Sequence, residues 1–340
     1  MRRVNKTIYV TSDGYYIHCE NDSLVFRKEE NELVRIPVVS IEQLVIFGNT
    51  TISSFLVGFC AKHNILLTYV SSHGKYYGTF HGAISGNVLL RQKQYSIKGQ
   101  PKEVDIARNI VLGKAINSRH TLIRAIKNAS EDRAMNLKQA AEKIKGNIAK
   151  LEKTNNIDGL RGLEGIIAEI YFSQFDNMLK ISDSDMRFDK RSKRPPENYC
   201  NSALSLLYTL LTSNCESALN SVGLDSEFGY LHSLKPGRHS LACDLIEELR
   251  TCIVDRFVIT MINRKQITGK DFEKDESGIK FKDNKISEFL NKWEEYKSEE
   301  IVHPLYKTKV QIKTIPYIQA QLLAQCVRGD IVEYPPIEWR

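Results

Sequence analysis

No two of the seven cysteines, at positions 19, 60, 200, 215, 243, 252 and 326, form a C-x-x-C pair. That absence excludes a zinc ribbon and a thioredoxin-type site. The odd, scattered set reads as free thiols in a reducing compartment. Cys243 and Cys252 fall in a helical pattern as small core residues. No uninterrupted apolar run reaches membrane-spanning length. The first residues, MRRVNKTIYV, lack the apolar core of a signal peptide. The expectation is a cytoplasmic protein with no membrane partner. No G-x-x-x-x-G-K-[ST] is present, so the chemistry has no P-loop nucleotide behind it. No H-x-x-x-H-D pattern is present either, which disfavours an HD-type phosphohydrolase. Internal repeats and low-complexity tracts are also missing.

What is there suffices for one large or two medium domains: 340 residues, 42% of them hydrophobic. Lys and Arg number 48 against 41 Asp and Glu, a net +7. This bias fits a polyanionic partner, and equally a soluble protein that happens to be basic.

The first ninety residues are strand-rich. TIYV, YYIHCEN, SLVFRKE, ELVRIPV, QLVIFG and ILLTYVSS are short β-branched and aromatic runs, several separated by turn formers at 12–14 and 20–22. SSFLVGFCAKH (53–63) has helical spacing instead. Two hairpins feeding a small sheet, with one covering helix, are predicted. RQKQYSIKGQPKE is polar and basic and reads as a linker over 91–105. Beyond it the periodicity is helical almost throughout, apart from a hairpin or ordered loop at 275–284. The predicted fold is α+β: a small N-terminal β-sheet domain (1–90), then a larger all-α C-terminal domain (106–340).

The stretch YLHSLKPGRHSLACDLIEELR (230–250) carries the densest chemistry. Pro236 and Gly237 punctuate a turn, and Ser240 is placed to cap the next helix. Asp244 and Glu247, three residues apart, share a helix face, with Glu248 turned partly away. His232 lies in a loop able to fold back over the first helical turns. One imidazole and two carboxylates suit a divalent ion, Mg²⁺ or Mn²⁺; acids on an amphipathic helix also commonly form a solvated face. In GLRGLEGIIAEIYF, Glu164 stands between Gly162 and Gly165, small residues that permit close approach of a helix or a phosphate backbone. Glu169 on the same helix competes with it, and pattern alone does not choose. MRFDKRSKRPPENYCNSALS clusters Arg187, Lys190, Arg191, Lys193 and Arg194, a loop able to neutralise phosphates or simply to be solvated. Asn201 follows, as a buried hydrogen-bonding residue or one reaching the acidic site.

In order and spacing, GLEGIIAEIYF, RPPENYCNSALSLLYTLL and GLDSEFGYLHSLKPGRHSLACDLIEELR resemble the CRISPR adaptation integrases, the first numbered Cas family, in the form found in type I systems. The resemblance implies a metal site built from Glu164, His232 and Glu247, with Asp244 beside it as a further catalytic residue and Mg²⁺ or Mn²⁺ as cofactor. It implies a DNA endonuclease and integrase that joins prespacer 3′-hydroxyl ends to the CRISPR repeat by transesterification. It further implies a homodimer formed through the β domain, and a hetero-hexameric assembly with a dimer of the second Cas family on double-stranded DNA. Arg238 and the 187–194 loop would hold phosphates. Tyr171 and Ser240 lack the Arg/His surroundings of a covalent recombinase. Two other readings are a branched-DNA repair nuclease on the same ligands and a non-catalytic DNA-binding scaffold.

Overall fold

A computed structural model describes residues 6–29, 31–63, 65–71, 76–80, 82, 87–180, 186–192, 196–275 and 278–339. It divides into two compact units: Met1–Ser85 with Asp271–Glu294, and Gly86–Lys270 with Glu295–Arg340. This α+β arrangement agrees with the class read from the sequence.

In the first unit, β1 (Lys6–Val10), β5 (Ile41–Phe47) and β7 (Leu66–Val70) run parallel, and β8 (Tyr76–Phe80) closes the sheet antiparallel to β7. The buried run along β5 is what a central parallel strand demands. The second sheet is a meander of β4 (Asn31–Pro37), β3 (Ser23–Lys28) and β2 (Tyr15–Glu20), with short β6 (Thr51–Ile52) parallel to β2. Asn21 and Asp22 both take positive φ (46° and 53°) and make the two-residue β2–β3 turn. Helix α1 (Ser54–Lys62) begins where Ser53 accepts a hydrogen bond from the Leu56 N–H. Ile17, Leu24, Leu44, Ile46, Leu56 and Cys60 share its core. The sequence reading anticipated two hairpins and one small sheet. The molecule instead builds two four-stranded sheets, because crossovers rather than tight turns link β1, β5 and β7. The β9 (Phe272–Asp275)–β10 (Gly278–Phe281) hairpin and the first part of α9 (Asp283–Ser298) return to this unit. There Tyr9 Oη donates to Glu294 (2.6 Å), and the Thr11 and Ser287 hydroxyls lie 2.7 Å apart.

The second unit is mainly helical: α2 (Val88–Ser96), α3 (Pro101–Ile126), α4 (Glu131–Leu151), α5 (Ile157–Phe172), α6 (Tyr199–Ser221), α7 (Ser240–Leu249), α8 (Arg256–Asn263) and α10 (Ile315–Arg328). A small β11 (Glu300–Val302)–β12 (Lys309–Gln311) hairpin interrupts the helices. Residues 91–105, expected as a linker, hold most of α2 and the start of α3. The polar run is solvated only on one side, while Leu90 and Gln94 are buried. Central α3 packs against α4, α5 and α7. The helical run from 240 to 263 contains a π-helical turn at Arg250–Asp255 between α7 and α8. All seven cysteines are free thiols. No described helix is long and apolar enough to cross a membrane.

Candidate active site

Three pieces of the helical unit meet at one point. Helix α5 starts at Asn156, whose side chain accepts from the Gly159 N–H at 2.7 Å, and presents Glu164 two turns along. Helix α7 presents Asp244 and Glu247, and the loop before it carries His232. Ser240 is not the cap: His239 holds that position, and the Ser240 hydroxyl donates to the Ser233 carbonyl at 3.1 Å.

Asp244 is fully buried. Its Oδ2 accepts from the Tyr230 and Leu231 N–H groups at 2.6 and 2.9 Å, and its Oδ1 from the His232 N–H at 2.9 Å. The same Oδ1 faces His232 Nδ1 at 2.7 Å. Asp244 therefore spends its oxygens on the loop and on the imidazole, not on a centre shared with Glu164. A neutral imidazole that gives its Nδ1 proton to Asp244 would offer its Nε2 lone pair, and Nε2 has no hydrogen-bond partner among the described residues. Gly229 is required here: a Cβ on it would lie 2.7 Å from the Ser240 carbonyl carbon and 2.8 Å from Asp244 Oδ2. Arg161 on α5 donates through Nε to the Leu231 carbonyl at 2.6 Å, fastening α5 to the histidine loop.

The carboxylates of Glu164 and Glu247 converge on a cation supplied by α3. Lys114, buried, donates its Nζ to Glu247 Oε2 at 2.6 Å and also to Glu164 Oε1. Arg250 holds the other oxygen of Glu247 at 3.1 Å. Burial alone would raise the Glu247 pKa, but the Arg250 and Lys114 charges outweigh it and hold the carboxyl well below its usual range. Burial likewise pushes the Lys114 ammonium down, and its two glutamates reverse this to a net upward shift. His232 lies near enough to act on the charge of Glu247.

The donor set fits a hard divalent cation. Two carboxylates already share one positive charge, and the oriented imidazole adds a nitrogen. Glu164, Glu247 and His232 are the residues that would hold it. As they stand, no three His, Cys, Asp or Glu side chains close on a single point at ligand range among the described residues. Lys114 stands between the glutamates.

The competing acids separate cleanly. Glu169 is exposed to solvent. Glu248 is fully buried and turned to the chain end, accepting from Tyr334 Oη and from the Ile337 N–H (2.8 Å). A Cβ on Gly162 or Gly165 would meet nothing within 4 Å, so these glycines keep an open surface beside Glu164 and do not seat a helix. Of the expected phosphate contacts, Arg187 and Lys190 are exposed. Arg191 turns inward: it donates to Asn201 Oδ1 at 2.7 Å and Ser205 Oγ at 3.1 Å, and lies over the Tyr208 ring. Asn201 is thus a buried structural residue. Arg238 is half-buried beside Cys243. Lys193 and Arg194 lie outside the described residues. Sequence reasoning missed Lys114, Arg161 and Arg250. Only Arg250, three residues after Glu247 on one helix, left a readable signal.

A β-sheet unit with a helical unit that joins two carboxylates, a buried cation and an aspartate-oriented histidine defines a class of α+β protein with a carboxylate–histidine centre. Within that class the chain belongs to the family described as CRISPR associated protein Cas1, whose match spans residues 8–295. It is 37% identical over 346 residues to the CRISPR-associated endonuclease Cas1 2 of Rhodospirillum rubrum, covering 100% of both chains. The solved structure of a CAS1 protein from Thermotoga maritima superposes with a TM-score of 0.81 at 25% identity, covering 95% of this chain and 97% of that one. A Cas6-RT-Cas1–Cas2 complex contains the same fold, with a TM-score of 0.83 at 24% identity over 100% of this chain and 36% of that one.

Proposed function

We propose that this chain is a metal-dependent DNA endonuclease and integrase of CRISPR adaptation. In this reading it joins the 3′-hydroxyl of a short duplex prespacer to a phosphodiester of the CRISPR repeat. The attacking oxygen forms a new bond to phosphorus, the repeat's own 3′-oxygen leaves, and the hydroxyl proton passes to the leaving side. The number of phosphodiester bonds is unchanged, so no nucleotide hydrolysis is required. When bound, Mg²⁺ or Mn²⁺ would supply charge neutralisation at the phosphate and activation of the hydroxyl. Glu164, Glu247 and the Nε2 of His232 would hold that ion. Asp244 fixes the tautomer and direction of the imidazole. Arg187 and Lys190, exposed near the start of α6, contact flanking phosphates.

The observation that carries this reading is the convergence of Glu164 and Glu247 on one cation beside an imidazole with a free nitrogen, in a chain of this family. Homodimerisation through the β unit is supported by exposed apolar side chains on and after β4: Leu33 (51%), Val34 (48%) and Val39 (58%). Assembly with a dimer of the second Cas family is supported by the named composition of the Cas1–Cas2 complex.

Disintegration of a branched DNA in Mn²⁺ tests the reading. His232→Ala and Glu164→Ala should each lose about 100-fold or more, as ~3 kcal/mol of transition-state stabilisation is removed. Wild-type rates in either variant would defeat it. With a 3′-hydroxyl prespacer and a repeat-bearing plasmid, joined strands should outnumber hydrolysed ones; hydrolysis alone would favour a repair nuclease.

A further inference from the structure

We propose that a cavity in the helical unit is an anion site for the phosphates of a free nucleotide. It has a volume of about 1070 Å³ and is lined from α3, α4, α8 and the segment after α5. Arg124, Arg133, Lys180, Arg256 and Arg264 all face it, against a single lining acid, Glu299. None of these five cations forms an ion pair among the described residues. Arg124, Lys180 and Arg264 are exposed at its mouth, and Arg256 forms its floor.

Arg256 carries the inference. Its side chain is buried, at 8% exposure, without a carboxylate. Nε donates to Thr121 Oγ1 at 3.2 Å and Nη2 to the Trp339 carbonyl at 2.7 Å, but Nη1 has no partner. A buried guanidinium with an unused donor and a neighbouring positive charge is costly unless an anion completes it. Burial pushes the Arg256 pKa down and Arg124 adds to that, while the Trp339 ring lies 5.4 Å from the guanidinium and leaves Nη1 unpaired. Its planar fork matches phosphate oxygens, and the rim arginines focus negative charge toward it.

The site is separate from the carboxylate–histidine centre. On α3, Arg124 stands ten residues beyond Lys114, roughly 15 Å along the helix axis. The occupant we assign is a free nucleoside triphosphate; the phosphates of a DNA strand, already the substrate under the proposed function, are the competing outcome.

The test uses the full chain in EDTA, which keeps it independent of turnover. Titration with dATP, with a single-stranded oligonucleotide of about ten residues, and with adenosine as the uncharged control separates the sources. Binding of dATP should weaken roughly tenfold or more in Arg256→Gln and in the surface variant Arg124→Glu/Arg264→Glu. It should be unchanged in Glu164→Ala. Variant-sensitive binding of dATP supports the assignment; variant-sensitive binding of the oligonucleotide alone would overturn it in favour of a DNA contact. Absence of binding, binding equal in a folded surface variant, or a loss confined to Glu164→Ala would overturn the proposal.

Discussion

Lys114 shows how one side chain sets the electrostatics of the centre. A lysine inside a helix normally reads as a solvated position, yet this one is buried between Glu164 and Glu247. Without it, two carboxylates would face one another at low dielectric, an imbalance of ~3–5 kcal/mol. Lys114→Met should therefore lower the melting temperature in EDTA by about 10 °C, and Mn²⁺ should restore much of that loss. Thermal scanning with and without Mn²⁺ reads both effects; an unchanged melting temperature in EDTA would show that the ammonium does not hold the glutamates together. Asp244 makes the complementary point. The D-x-x-E spacing placed Asp244 and Glu247 on one helix face, but spacing did not assign their roles. The loop's three N–H groups and the His232 ring claimed Asp244, and the two cations claimed Glu247.

At the level of elements, the close contact of the 229–232 loop with α7 positions the imidazole, and Gly229 makes that contact sterically possible. Gly229→Ala should cost ~1–3 kcal/mol through overpacking. It should also depress strand joining, because the loop that aims His232 must shift. Circular dichroism should remain that of the wild type, while both melting temperature and joining fall; full activity at an unchanged melting temperature would sink this account. The π-helical turn that follows Leu249 belongs to the same scale. It accommodates the step from α7 to α8 while Arg250 remains within reach of Glu247. Hydrophobic periodicity registers α7 and α8 as one helix, since a single wide turn hardly disturbs a 3.6-residue repeat. The 91–105 segment misled in the opposite direction. Its polar composition resembles a linker, but Gln94 is buried through hydrogen bonds to the Asp225 and Phe228 carbonyls, at 2.9 and 3.0 Å.

Across the helical unit, the last residues fold back onto α7. Glu248 accepts from Tyr334, Ile337 and Gln319, and burial outweighs these bonds to raise its pKa from 4.5 to about 7. The sign follows: between about 4.5 and 7 the unfolded chain has lost this proton and the folded chain keeps it, so stability falls as pH rises through that window. The effect amounts to ~3 kcal/mol for a fully buried group. Chemical denaturation at pH 5 and pH 8 should show that loss in the wild type and a smaller one in Glu248→Gln; identical pH dependence would exclude Glu248 as its source. The sequence by itself determined the β-then-α order, α1 and most of the helices, because these depend on local periodicity; Glu164, His232 and Glu247 became candidates only through the likeness of three motifs to a known family, since pattern alone did not choose between Glu164 and Glu169. Only the tertiary structure decided that β1, β5 and β7 run parallel, that residues 271–294 belong with the sheet unit, and that Lys114 joins two glutamates 50 and 133 positions away. Such pairings depend on which surfaces meet in three dimensions, and no local pattern of side chains encodes that.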